Sequence, residues 1–119
     1  SWMYAGGNKW DKVGWYWDKS GGHVHFIGKK ISNDLGLYDM SGNLWEWCLD
    51  TYDSDFYAQF ARDSTLYNPI NENYEYRRVV LRGGSWDYLH NLSRVAGRDR
   101  YYVNLRDYAF GFRLARNLP

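Results

Sequence analysis

The residues of this chain best equipped for chemistry gather in one stretch, Asp87 to Phe110, which reads DYLHNLSRVAGRDRYYVNLRDYAF. Its 24 residues are crowded with Tyr, Asp, Asn and Arg and include no Lys, Glu, Gln, Met or Trp, whereas the other 95 residues contain 18 of those five types. Chance leaves such a window empty on the order of one time in a hundred. Rigid, amphipathic tyrosines beside short hydrogen-bonding groups suit a binding face better than a catalytic pocket. Tyr88, Tyr101, Tyr102 and Tyr108 offer wide contacts at low entropic cost, and Asp87, His90, Asn91, Asp99 and Asp107 supply adaptable hydrogen bonds.

Other reactive side chains are sparse. Cys48 is the only cysteine, so the chain can form neither an internal disulfide nor a thiolate zinc cage, and its place in LWEWCLD suits a small buried hydrophobe. His23 and His25 alternate and can share a face, but two imidazoles without a third ligand make a weak metal site, and His25 reads as a framework residue. No Ser/His/Asp signature stands out. RGGS lacks the lysine and spacing of a phosphate-binding loop, and its glycines suit tight backbone turning.

These groups need a scaffold, and 119 residues supply one domain with a real core. Aromatics form 20% of the chain, with seven Trp and twelve Tyr, enough to stiffen a fold with little regular structure. The formal net charge of +1 points to neither nucleic acid nor an acidic membrane surface, and no apolar run approaches a membrane span. Asp11–Trp17 predicts a short helix capped by Asp11, weakened by Gly14. Ser20–Gly22 is a turn, His23–Ile27 a short strand, and Lys29–Leu35 a polar loop. The turn residues Asp39, Ser41, Gly42 and Asn43 lead into a buried strand, Leu44–Leu49. Thr51–Arg78 reads mostly as loop. Val79–Arg82 is a strand ending at the Gly83-Gly84 kink, and Arg94–Arg98 and Phe110–Ala115 read as two more, with Phe110, Phe112 and Leu114 turned to the core. The sum is α+β, with short strands, few helices and much ordered loop.

Three ordered boxes, GLYDMSGNLWEWC (Gly36–Cys48), RGGSW (Arg82–Trp86) and GFRLAR (Gly111–Arg116), strongly resemble the formylglycine-generating-enzyme/sulfatase-modifying-factor family, a branch of the C-type-lectin fold. WYWDKSGGHVHFIGKK also resembles the segment preceding the family's first box. The resemblance implies one loop-rich domain over residues 1–119, short of an N-terminal portion that family domains usually carry and that a further segment or a second chain would supply. The family's oxidases use a cysteine pair between the second and third boxes to hold copper. This chain has none there, so the resemblance implies no enzyme of that kind and no required cofactor. Some members bind structural calcium through the first box. By position the ligands here would be the carboxylates of Asp39 and Glu46 and the carbonyls of Gly42 and Leu44, a donor set suited to a hard cation. The alternative is that Asp39 caps the turn and Glu46 pairs with a framework arginine.

Within this family the chain most resembles the variable proteins of diversity-generating retroelements. Those systems mutate adenines, chiefly in Asn codons, and so reach every amino acid except the five missing from residues 87–110. The resemblance implies a variable ligand-binding region there, with solvent-facing positions among Asp87, Tyr88, Leu89, His90, Asn91, Gly97, Asp99, Arg100, Tyr101, Tyr102, Leu105, Asp107, Tyr108 and Ala109. Arg94, Arg98, Arg106 and Arg113 would stay fixed and hold the loop backbone. Adjacent Tyr101 and Tyr102 must point to opposite faces of a strand, so at least one reaches the surface. The implied partner is a protein or other surface ligand, with no nucleic acid and no membrane insertion, and the implied location is a cell or virion surface. A catalytically silent scaffold or accessory domain is the alternative function.

Overall fold

The computed structural model describes residues 2–60 and 69–116. Four short strands form one sheet: β1 (Trp45–Thr51), β2 (Arg78–Arg82), β3 (Asp99–Tyr102) and β4 (Phe110–Gly111), in the order β3-β2-β1-β4. β2 runs antiparallel to β1 and β3, while β4 runs parallel to β1 with Trp45 opposite Phe110. Edge strands β3 and β4 would sit roughly 14 Å apart in a flat sheet, yet the rings of Tyr101 and Phe110 meet at 5.0 Å. The sheet is therefore curled. It carries much loop around it, a few 3-10 turns and one short helix, α1 (Trp10–Val13): the α+β architecture expected of the C-type-lectin branch.

The expected strand at 44–49 forms as β1, and its lead-in is a tight turn in which Asp39, Gly42 and Asn43 all have positive φ. At Gly42 a Cβ would lie 2.6 Å from the Trp15 carbonyl oxygen, so only glycine lets the chain pass. This turn binds the fold together. Gly42 N–H donates to the Gly83 carbonyl, Asn43 N–H to that of Trp15, Trp86 N–H to that of Asn43, and Trp45 N–H to that of Ala109. Tyr16, Trp45, Val80, Leu81 and Ala109 are buried beside the turn, together with Ser41, Asn43 and Ser85.

Several elements depart from their sequence reading. The first helix stops at Val13, and its N-cap is Lys9, so Asp11 lies inside the first turn and caps nothing; Gly14, extended at φ −154°, ends it. Residues 23–27 form no strand, because His25 pairs with a side chain: its N–H donates to Asn43 Oδ1 (2.9 Å) and its carbonyl accepts from Asn43 Nδ2 (3.0 Å). The strand expected at Arg94–Arg98 lies instead at Asp99–Tyr102, after a turn closed by Gly97 N–H on the Arg94 carbonyl. The last strand ends at Gly111 rather than Ala115, because Arg113 reaches back to the first box. Phe112 and Leu114 are therefore 74% and 91% exposed and not core. Val79–Arg82 forms as expected, one residue longer, and Ser20–Gly22 turns with Ser20 Oγ accepting from Gly22 N–H. Residues 61–68 of the long irregular segment lie outside the described residues.

Candidate functional site

The segment from Asp87 to Ala109 is tied to the framework by the pairing of β3 with β2 and by bonds at several points outside that strand. Trp17 N–H donates to the Tyr88 carbonyl and Val95 N–H to that of Met3. The guanidinium expected to fix this loop comes from Arg82, which donates to the carbonyls of Val95 (3.2 Å) and Gly97 (3.4 Å). Arg94 and Arg106 are exposed and make no such bond among the described residues, so the expectation that they hold the loop is corrected. Arg98 acts through stacking, its Cζ 4.8 Å from the Tyr57 ring and 5.3 Å from that of Tyr52. Arg113 does hold backbone, but that of the first box.

With the backbone so tied, the side chains divide by sheet face. Strand register places Tyr101 opposite Val79 and Tyr102 opposite Arg78. Tyr101 turns to the face of Trp47 and Phe110, where the three rings adjoin. Tyr88 joins this cluster by packing edge-on against Trp45 at 5.6 Å. Its phenol is pushed up to about 12, first by hydrogen bonding with the Tyr101 hydroxyl and then by burial. Tyr108, 72% exposed, lies over Trp86 at 5.7 Å, and its phenol is raised by hydrogen bonding to Asp87. Asp87, Tyr88, Tyr101 and Tyr108 thus form one continuous patch, rimmed by exposed Leu89 and Asn91.

Tyr102 and Arg100 face the other way. Tyr102 is 52% exposed, and its hydroxyl accepts a hydrogen bond from Arg78 Nη2 at 3.1 Å. Leu105 and Asp107 are exposed, and Asp107 closes a turn by accepting Ala109 N–H. His90 stacks on Trp10 at 4.8 Å, and Asp99 accepts its neighbour's Arg100 N–H. Two expected contact positions have no side chain to offer. Ala109 is 2% exposed beneath β1, and a Cβ at Gly97 would fall 2.5 Å from the Leu92 carbonyl oxygen.

The remaining chemical groups sit in framework. His25 stacks on Trp15 at 3.6 Å, and its Nε2 lies 2.6 Å from the Ser20 carbonyl. Cys48 is half-buried, and burial pushes its thiol up, away from the reactive thiolate. Among the described residues no three His, Cys, Asp or Glu side chains converge as a metal site. The calcium donor set does not fit as arranged. Both Glu46 oxygens lie 2.5 Å from Arg113 nitrogens, and the same guanidinium donates to the Tyr38 and Asp39 carbonyls. Asp39 Oδ2 accepts Gly28 N–H, leaving only Oδ1 buried and unpartnered. A cation would have to displace Arg113, which already supplies the positive charge.

Sequence reasoning missed Tyr52, Asp53, Ser54, Glu75 and Arg78, which line a cleft of about 720 Å³ together with Arg100 and Tyr102. The local signal was the exposed Arg78 opening β2; the strand pairing that brings it beside Tyr102 is long-range.

The comparisons agree with the fold. A solved structure, Treponema denticola variable protein 1, superposes with TM-score 0.75 at 28% identity, over 94% of this chain and 40% of that one. The serine/threonine-protein kinase pkn1 of Chlamydia pneumoniae is 40% identical over 87 residues, 72% of this chain and 13% of the kinase. The formylglycine-generating enzyme of Streptomyces coelicolor is 35% identical over 88 residues, 71% of this chain and 26% of the enzyme. The chain thus spans less than half the length of each of these relatives. With its residues 1–118 matching the Sulfatase-modifying factor enzyme 1-like domain, the chain belongs to the formylglycine-generating-enzyme/sulfatase-modifying-factor family.

Proposed function

We propose that this chain is a non-catalytic ligand-binding protein that presents a diversified, tyrosine-rich surface on a C-type-lectin scaffold, as the variable protein of a diversity-generating retroelement. One observation carries the reading: between RGGSW and GFR the backbone is tied to the framework while Leu89, Asn91, Arg100, Tyr102, Leu105, Asp107 and Tyr108 are exposed. The likeness to a variable protein supports it. So does the missing cysteine pair between Gly84 and Gly111, without which the family's oxidase chemistry has no thiolates to use. The partner is a protein or other surface ligand, met at a cell or virion surface. Sequencing the source locus tests the reading. An error-prone reverse transcriptase with a near-copy of codons 82–116, differing only where the template has adenine, supports it; an intact locus with neither element sinks it.

A second reading, a silent scaffold domain, has its own observation. Phe26, Ile27, Leu35 and Leu114 are each more than 80% exposed, an apolar surface that suits packing against further polypeptide. Relatives from other genomes separate the two readings. Substitutions spread evenly along the chain favour the scaffold, and substitutions concentrated between Trp86 and Phe110 favour the binder.

A further inference from the structure

The cleft on the second face combines residues from inside and outside the proposed variable region. Arg78 and Tyr52 lie outside it; Arg100 and Tyr102 lie inside. Arg78 rests on the Tyr102 ring, Cζ to centroid 5.0 Å, and Arg100 on the Tyr52 ring at 4.5 Å. Arg78 Nη2 also donates to the Tyr102 hydroxyl at 3.1 Å, and the remaining N–H groups of Arg78 and those of Arg100 stay open, among the described residues, to planar, two-oxygen acceptors. Among the described residues neither Arg78 nor Arg100 has a carboxylate within 4 Å; the two ion pairs are Lys12–Asp11 and Arg113–Glu46.

Two acids share the cleft without neutralising these arginines. Asp53 Oδ1 accepts Asp55 N–H and so closes its own turn, and Glu75 is exposed. The Tyr102 phenol is lowered, first by the hydrogen bond from Arg78 and then by its charge. Spacing adds the last constraint. Arg78 pairs with Tyr102 and Val80 with Arg100, so the two arginines are diagonal neighbours on one face. Such positions lie roughly 7–8 Å apart, close to the separation of about 7 Å between alternate residues of an extended chain.

The geometry points to a carboxylate-recognition site in which Arg78 and Arg100 each grip one acidic side chain of an extended partner segment with acids at alternate positions. It rests on the binding function proposed above and names its ligand chemistry on this face. It also makes Arg78, outside residues 87–110, a fixed contributor to binding.

The test titrates the chain with an acetylated Glu-Ala-Glu-Ala-Glu peptide by calorimetry, with the Gln-Ala-Gln-Ala-Gln peptide and inorganic phosphate as controls. The acidic peptide should bind at least about tenfold more tightly than the Gln peptide, a difference of about 1.4 kcal/mol. Arg78→Ala and Arg100→Ala should each weaken it about tenfold or more, Arg78→Lys should not restore it, and Lys29→Ala should leave it unchanged. Each variant's melting temperature is checked first, and Arg78→Lys keeps the test open should Arg78→Ala fold poorly. Equal affinity for the Gln peptide, undiminished binding in both arginine variants, or tighter binding of phosphate alone overturns the proposal. None of these results bears on whether codons 87–110 vary, so the two ideas fail separately.

Discussion

The box around Asp39–Trp45 and the stretch Asp87–Tyr108 both consist largely of irregular backbone rich in polar residues, yet they are built in opposite ways. In the first, Ser41 and Asn43 are buried, the backbone adopts positive φ at three points, and successive N–H groups are bonded to distant carbonyls. In the second, the backbone is tied through β3 and scattered bonds, and many side chains face solvent. Loop is therefore no guide to rigidity here. Backbone hydrogen bonds and the paired Asn43 side chain fix one region, because leaving buried polar groups unpaired costs more than ordering them; Asp39 Oδ1 and Trp45 Nε1 stay without a partner there. The other region packs some side chains onto the framework, Tyr88, His90 and Tyr101 among them, and leaves many others to solvent.

The sharpest way to break this contrast is to strike the framework. Trp45→Ala removes a ring only 2% exposed beside Tyr88 and should cost about 3–5 kcal/mol in chemical denaturation. Gly84→Ala belongs in the same class: its Cβ would fall on Ser93, at a φ of +76° that an L side chain rarely adopts. A near-neutral result for both would remove the framework from the account.

Arg113→Ala comes next. It strips Glu46 and the Tyr38 and Asp39 carbonyls of their donor, and should cost about 1–2 kcal/mol given the pair's partial exposure. Because Arg113 occupies the donor set, chelating calcium should leave the wild-type melting temperature unchanged. A drop of several degrees on chelation would return the cation to the site.

A smaller effect lies at the seam between the regions. The Tyr88 phenol has its folded-state value raised to about 12 from 10.0. Its contact with Tyr101 therefore stabilises fully below pH 10, and that stability is lost as pH rises through about 12. Tyr88→Phe should flatten this alkaline limb in thermal melts taken across that window; an unaltered limb would place the lost stability elsewhere.

Smallest of all should be Tyr102→Ala and Tyr108→Ala, singly or together, with melting temperatures within about 3 °C of wild type. Tyr101→Ala should shift it further, since that ring packs on Phe110. The three tyrosines, equivalent in sequence, are thus unequal in the fold.

Much of this was legible beforehand where local rules dominate. The turn into β1, the Gly83-Gly84 exit of β2 and the opposite facing of Tyr101 and Tyr102 follow from backbone conformation and strand alternation. The failures share a cause, a distant partner overriding a local pattern. Phe112 and Leu114 alternate like core residues, but Arg113 turns the chain away to Glu46. His23–Ile27 is β-like, but Asn43 supplies a side chain where a strand was expected. Arg82 rather than Arg94 or Arg106 holds the loop, and the Arg78–Tyr52 wall exists only once β1, β2 and β3 are paired.

The most direct measurement is saturation mutagenesis of residues 36–116 with a surface-display readout of folding. The account predicts that Leu89, Asn91, Arg100, Tyr102, Leu105, Asp107 and Tyr108 accept most side chains, while Gly42, Asn43, Trp45, Gly84, Gly97 and Ala109 accept almost none. Equal intolerance in both groups would contradict it, because residues 87–108 would then belong to the framework and could not serve as a changeable binding surface.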